Sequence, residues 1–146
     1  MNKDILMNIL IPRKQLKESL EENLNGKPAE FLIVLGDLRS ECGSVVVGIA
    51  YRNEHLSDLP QDKIFSLYKN DDIIPFKLSI DKLFNIETDY LEEITDNFTE
   101  MTGTKLSQTT YSYILYPLKD IMENEKDNLY SIKVVKEKDI ENEMTM

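Results

Sequence analysis

Hydrophobic residues in this chain fall in short blocks, and the spacing within each block predicts a different element. Phe31-Leu-Ile-Val-Leu35 and Val45-Val-Val-Gly-Ile-Ala-Tyr51 are nearly continuous apolar runs rich in β-branched residues. Runs of this length read as strands buried on both faces. Gly36 to Ser44 between them is polar, which predicts an antiparallel hairpin with a long loop. Upstream, Leu16, Leu20 and Leu24 recur every fourth residue between Pro12 and Gly26, so a helix is expected over 13–25. Ile5, Leu6, Ile9 and Leu10 predict a short opening helix before it.

Downstream the signals are shorter. Ile64, Leu67 and Tyr68 predict a brief helix over 62–68, and Asn70-Asp71-Asp72 a turn. Phe76, Leu78 and Ile80 alternate, but Pro75 demotes 73–80 to an edge strand or connector. A helix starting at Ser79 or Asp81 and running through Phe84 is the competing reading. Leu91, Ile94, Phe98 and Met101 fall at i, i+3, i+7 and i+10, predicting one amphipathic helix within 84–104. Thr88 would be its N-cap and Gly103 its stop. Tyr111, Tyr113 and Leu115 alternate, so 109–116 is expected to be a strand, with Ile114 and Tyr116 on its other face and Pro117 ending it. Lys119 to Asp127 reads as a polar helix turn or loop. Over 129–135, Tyr130, Ile132 and Val134 alternate with Ser131 and Lys133, the pattern of a half-exposed strand. Together these elements predict one α+β domain over 1–136, with a mainly antiparallel sheet of about four strands and helices packed on it. Residues 137–146 lack an apolar stripe and are expected to be a disordered tail.

Charge changes the picture. The 146 residues include 27 acids and 17 bases, a formal net charge of −10. Binding to phosphate is driven by Lys and Arg displacing counterions, so nucleic acid and anionic membrane surfaces are poor partners. A basic protein surface is a good one. Half of the net charge lies in residues 83–118, which hold six acids and only Lys105. If that segment is a helix, Asp89, Glu93, Asp96 and Glu100 sit in neighbouring turns, each pair costing roughly a few tenths of a kcal/mol.

Cys42 is the only cysteine. An internal disulfide and a Cys-based zinc cluster are therefore excluded, and a reducing, cytoplasmic setting is expected. No apolar run approaches the ~20 residues of a membrane-spanning helix. Cys42 as nucleophile with His55 as base, oriented by Glu41 or Glu54, is the enzyme alternative the residues suggest. The loop Gly36 to Ser44 lacks the lysine of a phosphate loop. Asp37, Glu41, Asp71 and Asp72 lack the dense spacing of a calcium loop, so no metal or cofactor is expected.

The reading that best uses the charge is a non-enzymatic protein-binding module. Asp89, Glu92, Glu93, Asp96 and Glu100 form its acidic face, and Tyr111 and Tyr113 supply an apolar centre for docking on a basic partner. Inhibitors, immunity proteins and anti-defence proteins work in this way. A small Cys/His enzyme and an assembly or scaffold subunit are the alternatives, and homo-oligomerisation stays open.

Overall fold

The two apolar runs form the middle of one sheet, as β2 (Phe31–Leu38) and β3 (Ser44–Arg52), paired antiparallel. The computed structural model describes residues 5–69, 72–88, 91–97, 108–124 and 129–133. Among these the sheet has seven strands, where about four were expected. Its order is β4 (Ile64–Lys69), β5 (Asp72–Glu87), β3, β2, β1 (Ile9–Pro12) and β6 (Thr95–Asn97), and β7 (Leu129–Lys133) adds to β5. Among the described residues only β5 and β7 pair in parallel. The described α-helical elements are α1 (Lys14–Glu21), the single turns α2 (Arg39–Cys42) and α3 (Leu91–Ile94), and α4 (Gln108–Asn124), with short 3-10 turns at Asn53–His55 and Gln61–Lys63. The protein is α+β with a mainly antiparallel sheet.

Apolar side chains bury both faces of this sheet. On one face Leu16, Leu20, Leu24 and Ala29, from α1 and the loop after it, cluster with Leu32, Val47, Ile49 and Phe84. On the other, Ile114, Leu118 and Ile121 of α4 cluster with Ile33, Leu35, Phe76 and Leu78. β3 is narrow on this second face. Opposite Phe31 it offers only Ala50, and the Phe31 and Phe76 rings stack 4.4 Å apart. Gly48 lies beneath Leu35 and Leu78 in the same way.

Several elements differ from the sequence expectation, each for a physical reason. The opening segment is strand β1, because Ile9 and Leu10 enter opposite clusters and a run apolar on both sides suits a sheet. Met7, at φ 66°, turns the chain into it. Residues 64–69 are strand β4, in which Ile64 faces one cluster and Phe65 and Leu67 the other. Six residues are too few to separate a period of two from one of 3.6. Pro75 does not end β5. Its pairing with β3 begins only at Phe76, and the β4–β5 register shifts between Ser66 and Tyr68, opposite residues 74–76. The proline therefore sits where the ladder needs no N–H.

The acidic helix is not formed. Phe84 to Glu87 complete β5, Leu91–Ile94 is one helical turn, and Thr95–Asn97 is β6. Leu91 and Ile94 are buried as expected, whereas Phe98, Met101, Gly103 and the tail 137–146 lie outside the described residues. The expected strand at 109–116 is instead the first half of α4, with Pro117 inside it. Ile114, Leu118 and Ile121 at i, i+4 and i+7 carry its buried side, a longer pattern than the Tyr–Tyr–Leu alternation. The strand at 129–133 keeps its predicted alternation, with Tyr130 and Ile132 half-buried between exposed Ser131 and Lys133.

Gly48 gives this architecture a direct test. A Cβ there would lie 2.8 Å from Leu78 Cδ1, 3.1 Å from Leu35 Cδ1 and 3.3 Å from the Ser79 carbonyl. Leu78 is fully buried and has nowhere to retreat. Gly48→Ala should destabilise by about 1–3 kcal/mol through overpacking, read as a lowered urea midpoint at unchanged slope. An unchanged midpoint would mean that the two leucines do not meet over β3.

Candidate functional site

The acidic segment is fastened to the body by one arginine. Arg13, between β1 and α1, donates from Nη2 and Nε to Asp96 Oδ1 at 2.9 and 3.3 Å, and from Nη1 to the Glu93 carbonyl at 3.1 Å. Its backbone N–H also donates to the Ile94 carbonyl at 2.8 Å. Hydrogen bonding and attraction from Asp96 raise the Arg13 pKa above its already high value. Thr95 Oγ1 closes the α3 turn by donating to the Leu91 carbonyl at 2.8 Å. Asp96 is thus an exposed but internally paired carboxylate, and Glu93 is exposed beside it. Asp89 and Glu100 lie outside the described residues, as do the side chains of Glu92 in α3 and Tyr111 in α4. The expected row of carboxylates one helical turn apart is therefore replaced by a folded segment clamped by Arg13.

The tyrosines move to a helix, and this rearranges them. Tyr113 and Tyr116, expected on opposite faces of a strand, stand three residues apart on the outer side of α4. They are 63% and 85% exposed, and Leu115, on the flank next to Tyr116, is 43% exposed. Exposed Asp120 and Glu123 continue the Tyr113–Tyr116 stripe at helical spacing. Among the described residues, only Leu38 is another large hydrophobic side chain exposed to a comparable degree. Tyr116 and the acidic end of this stripe are what sequence reasoning missed. The signal was present in the i, i+3, i+7 spacing of Tyr113, Tyr116 and Asp120.

Cys42 and His55 are not brought together. Cys42 precedes β3 and His55 follows it, so the nine-residue strand holds them on the order of 25–30 Å apart. Cys42 Sγ lies 3.1 Å from Ser44 Oγ, and His55 Nε2 lies 3.6 Å from Glu54 Oε1. Asp37 is taken by Arg39 through two bonds of 2.9 Å. Those bonds hold the Asp37 carboxyl below the usual range against the opposing effect of burial.

A polar pocket of about 120 Å³ opens where β5 bends. Opposite the Gly48–Ile49 step of β3, β5 advances from Leu83 back to Ser79, so Ile80, Asp81 and Lys82 have no partner there. Ile49 and Tyr51 of β3 line it together with Ser79, Asp81 and Lys82 of β5, and the loops at 24–27 and 58–60 form walls. Lys27 and Asp58 join those walls with an ion pair at 2.7 Å. The first wall is anchored by Glu21, whose Oε2 accepts from Lys17 Nζ and from the Ala29 N–H, both at 2.8 Å. Gln61 holds the second by donating to the Leu56 and Leu59 carbonyls. Among the described residues no helix is long and apolar enough to cross a membrane, and no group of three His, Cys, Asp or Glu is placed to hold a metal.

Glu21 makes that wall pH-sensitive. Burial pushes its pKa up, but the bonds from Lys17 and Ala29 outweigh it and hold the carboxyl below the usual range. A depressed native pKa means stability that is complete above the unfolded carboxylate range and lost as pH falls through the native value. Glu21→Gln should therefore cost about 1 kcal/mol near neutral pH, and its deficit relative to the parent should shrink below about pH 4. Urea melts at both pH values measure this. A deficit that persists in acid would mean that charge is not what holds the loop.

No protein-family model, no curated protein and no solved structure matches this chain.

Proposed function

We propose that this protein binds another protein through the outer face of α4, with Tyr113 and Tyr116 as the apolar centre and Asp120 and Glu123 beside them. The observation that carries this reading is the exposure of both tyrosines, 63% and 85%, on a helix whose opposite side is buried by Ile114, Leu118 and Ile121. Nothing in the described core draws on those two rings. Each offers about 150–250 Å² of amphipathic surface, the kind of side chain that dominates binding energy when a partner covers it. The net charge of −10 favours a basic partner, since complementary charge raises the encounter rate. Glu93, Asp96, Asp120 and Glu123 contribute to that field.

Binding without catalysis suits an inhibitor, immunity or anti-defence protein acting in the cytoplasm. Relative to the sequence expectation, the tyrosine centre gains Tyr116. The acidic rim of this face is Asp120 and Glu123 of α4. Glu93 and Asp96, at the opposite edge of the sheet, add only to the overall charge that attracts a basic partner, as do the expected Asp89, Glu92 and Glu100.

The test separates the two faces of one helix. With the partner isolated by affinity capture from the cell of origin, Tyr113→Ala/Tyr116→Ala should weaken binding by about 2 kcal/mol or more while leaving the melting temperature unchanged. Ile114→Ala should do the reverse, costing about 2–5 kcal/mol of stability. Equal affinity of the tyrosine variant and the parent, or captured proteins that are not basic, would sink the proposal.

A further inference from the structure

We infer that the pocket at the bend of β5 binds a small zwitterion of the amino-acid type, with its ammonium on Asp81, its carboxylate on Lys82, and a hydrogen bond from the Tyr51 hydroxyl. Tyr51 is the first reason. It is only 4% exposed and lines the pocket, yet among the described residues its hydroxyl has no hydrogen-bond partner. The hydroxyl is therefore free to donate to a molecule held in the pocket. Burial, with the Asp81 and Asp58 carboxylates nearby, pushes its pKa far above the usual range, so the group stays a donor.

The charges are the second reason. Lys27 and Asp58 neutralise each other across the mouth at 2.7 Å. Asp81 and Lys82 form no ion pair with each other or with any other described residue. The Asp81 N–H donates to Ser79 Oγ at 3.3 Å, which fixes the bend while leaving the carboxylate unused. Lys82 Nζ donates to the Asn23 carbonyl at 2.6 Å and stands 6.0 Å from the Tyr130 ring centroid, so further N–H donors remain. The pocket therefore offers one unpaired charge of each sign and a neutral donor. A simple anion would satisfy Lys82 and meet Asp81 unfavourably, and a simple cation would do the opposite. A molecule carrying both charges a few bonds apart satisfies both.

Size narrows the class. The 120 Å³ is well short of the ~300 Å³ at which drug-sized sites begin and close to the ~150 Å³ of a cavity that admits benzene. Glycine, alanine and serine are of that size. The walls are already fixed by Glu21, Gln61 and the Lys27–Asp58 pair, so the site needs little ordering to receive them.

The experiment is an amide NMR and calorimetric titration of the full chain with glycine, L-alanine and L-serine, with methylamine and acetate as single-charge controls. At least one amino acid should saturate the protein below about 10 mM and shift the amides of Tyr51, Ser79 and Asp81, with the controls about tenfold weaker or worse. Tyr51→Phe removes one oxygen atom, and Asp81→Asn one charge at nearly constant volume. Each should weaken binding about tenfold or more at unchanged melting temperature. Should Asp81→Asn fail to fold, Tyr51→Phe alone decides. The inference is overturned if none of the three amino acids saturates, if acetate or methylamine binds as well as glycine, or if Tyr51→Phe binds like the parent.

Discussion

β3 is buried along eight of its nine residues, and the rest of the structure is organised to make that possible. A strand so enclosed must bond its N–H and C=O groups within the sheet, because no water reaches them. β2 and β5 do this along its two sides. Its two faces solve different packing problems. Val45, Val47, Ile49 and Tyr51 are large and fill the layer beneath α1. Gly48 and Ala50 are small, so Leu35 and Leu78, and Phe31 and Phe76, come together from the strands on either side. The sheet is thus bound across its middle by side chains of its second neighbours as well as by its ladders. Where β3 steps from Gly48 to Ile49, β5 loses register and bends, and the concavity lined by Tyr51 lies at that step.

The elements legible in the sequence were those with a long, regular apolar pattern. β2, β3 and α1 carry patterns long enough to exclude a second period. The misread ones were short or mixed. Ile64 to Tyr68 suited both periods until pairing with β5 chose between them. Tyr111, Tyr113 and Leu115 imitated a strand because the residues that bury α4, Ile114, Leu118 and Ile121, continue past a proline taken as a terminator. Pro117 has no N–H to give the Tyr113 carbonyl, a cost the helix bears beside its most exposed side chains. Of the candidate site, Tyr113, Glu93 and Asp96 could be located, but their arrangement could not. Tyr51, Asp81 and Lys82 were legible only as strand or cap residues, since what joins them is a register shift that no local pattern encodes.

The like charges between Asp89 and Glu100 were a signal against the helix read there. A sequence that folds well seldom asks several carboxylates to share one exposed face, and local conflict of that kind marks a wrong assignment. The chain instead turns through α3 into β6 and presents Asp96 to Arg13, eighty-three residues earlier. One guanidinium thereby answers a carboxylate and the carbonyl of Glu93, and it ties the last strand of the sheet path to the junction of β1 and α1. The acidity of this region is in part structural, since Asp96 answers Arg13.

β5 has consequences for how the chain is made. One of its edges is shared in series, by β4 over residues 72–79 and by β7 over 83–87. β4 precedes β5 and can pair as soon as β5 leaves the ribosome. β7 follows α4 and is translated more than forty residues later. During that interval the second half of β5, including Phe84 and Ile86, has an open row of backbone donors and acceptors. Exposed strand edges recruit other chains. Translation through 129–133 is therefore the period of greatest vulnerability for the nascent protein, when a chaperone or a second nascent chain would compete with β7 for the same edge.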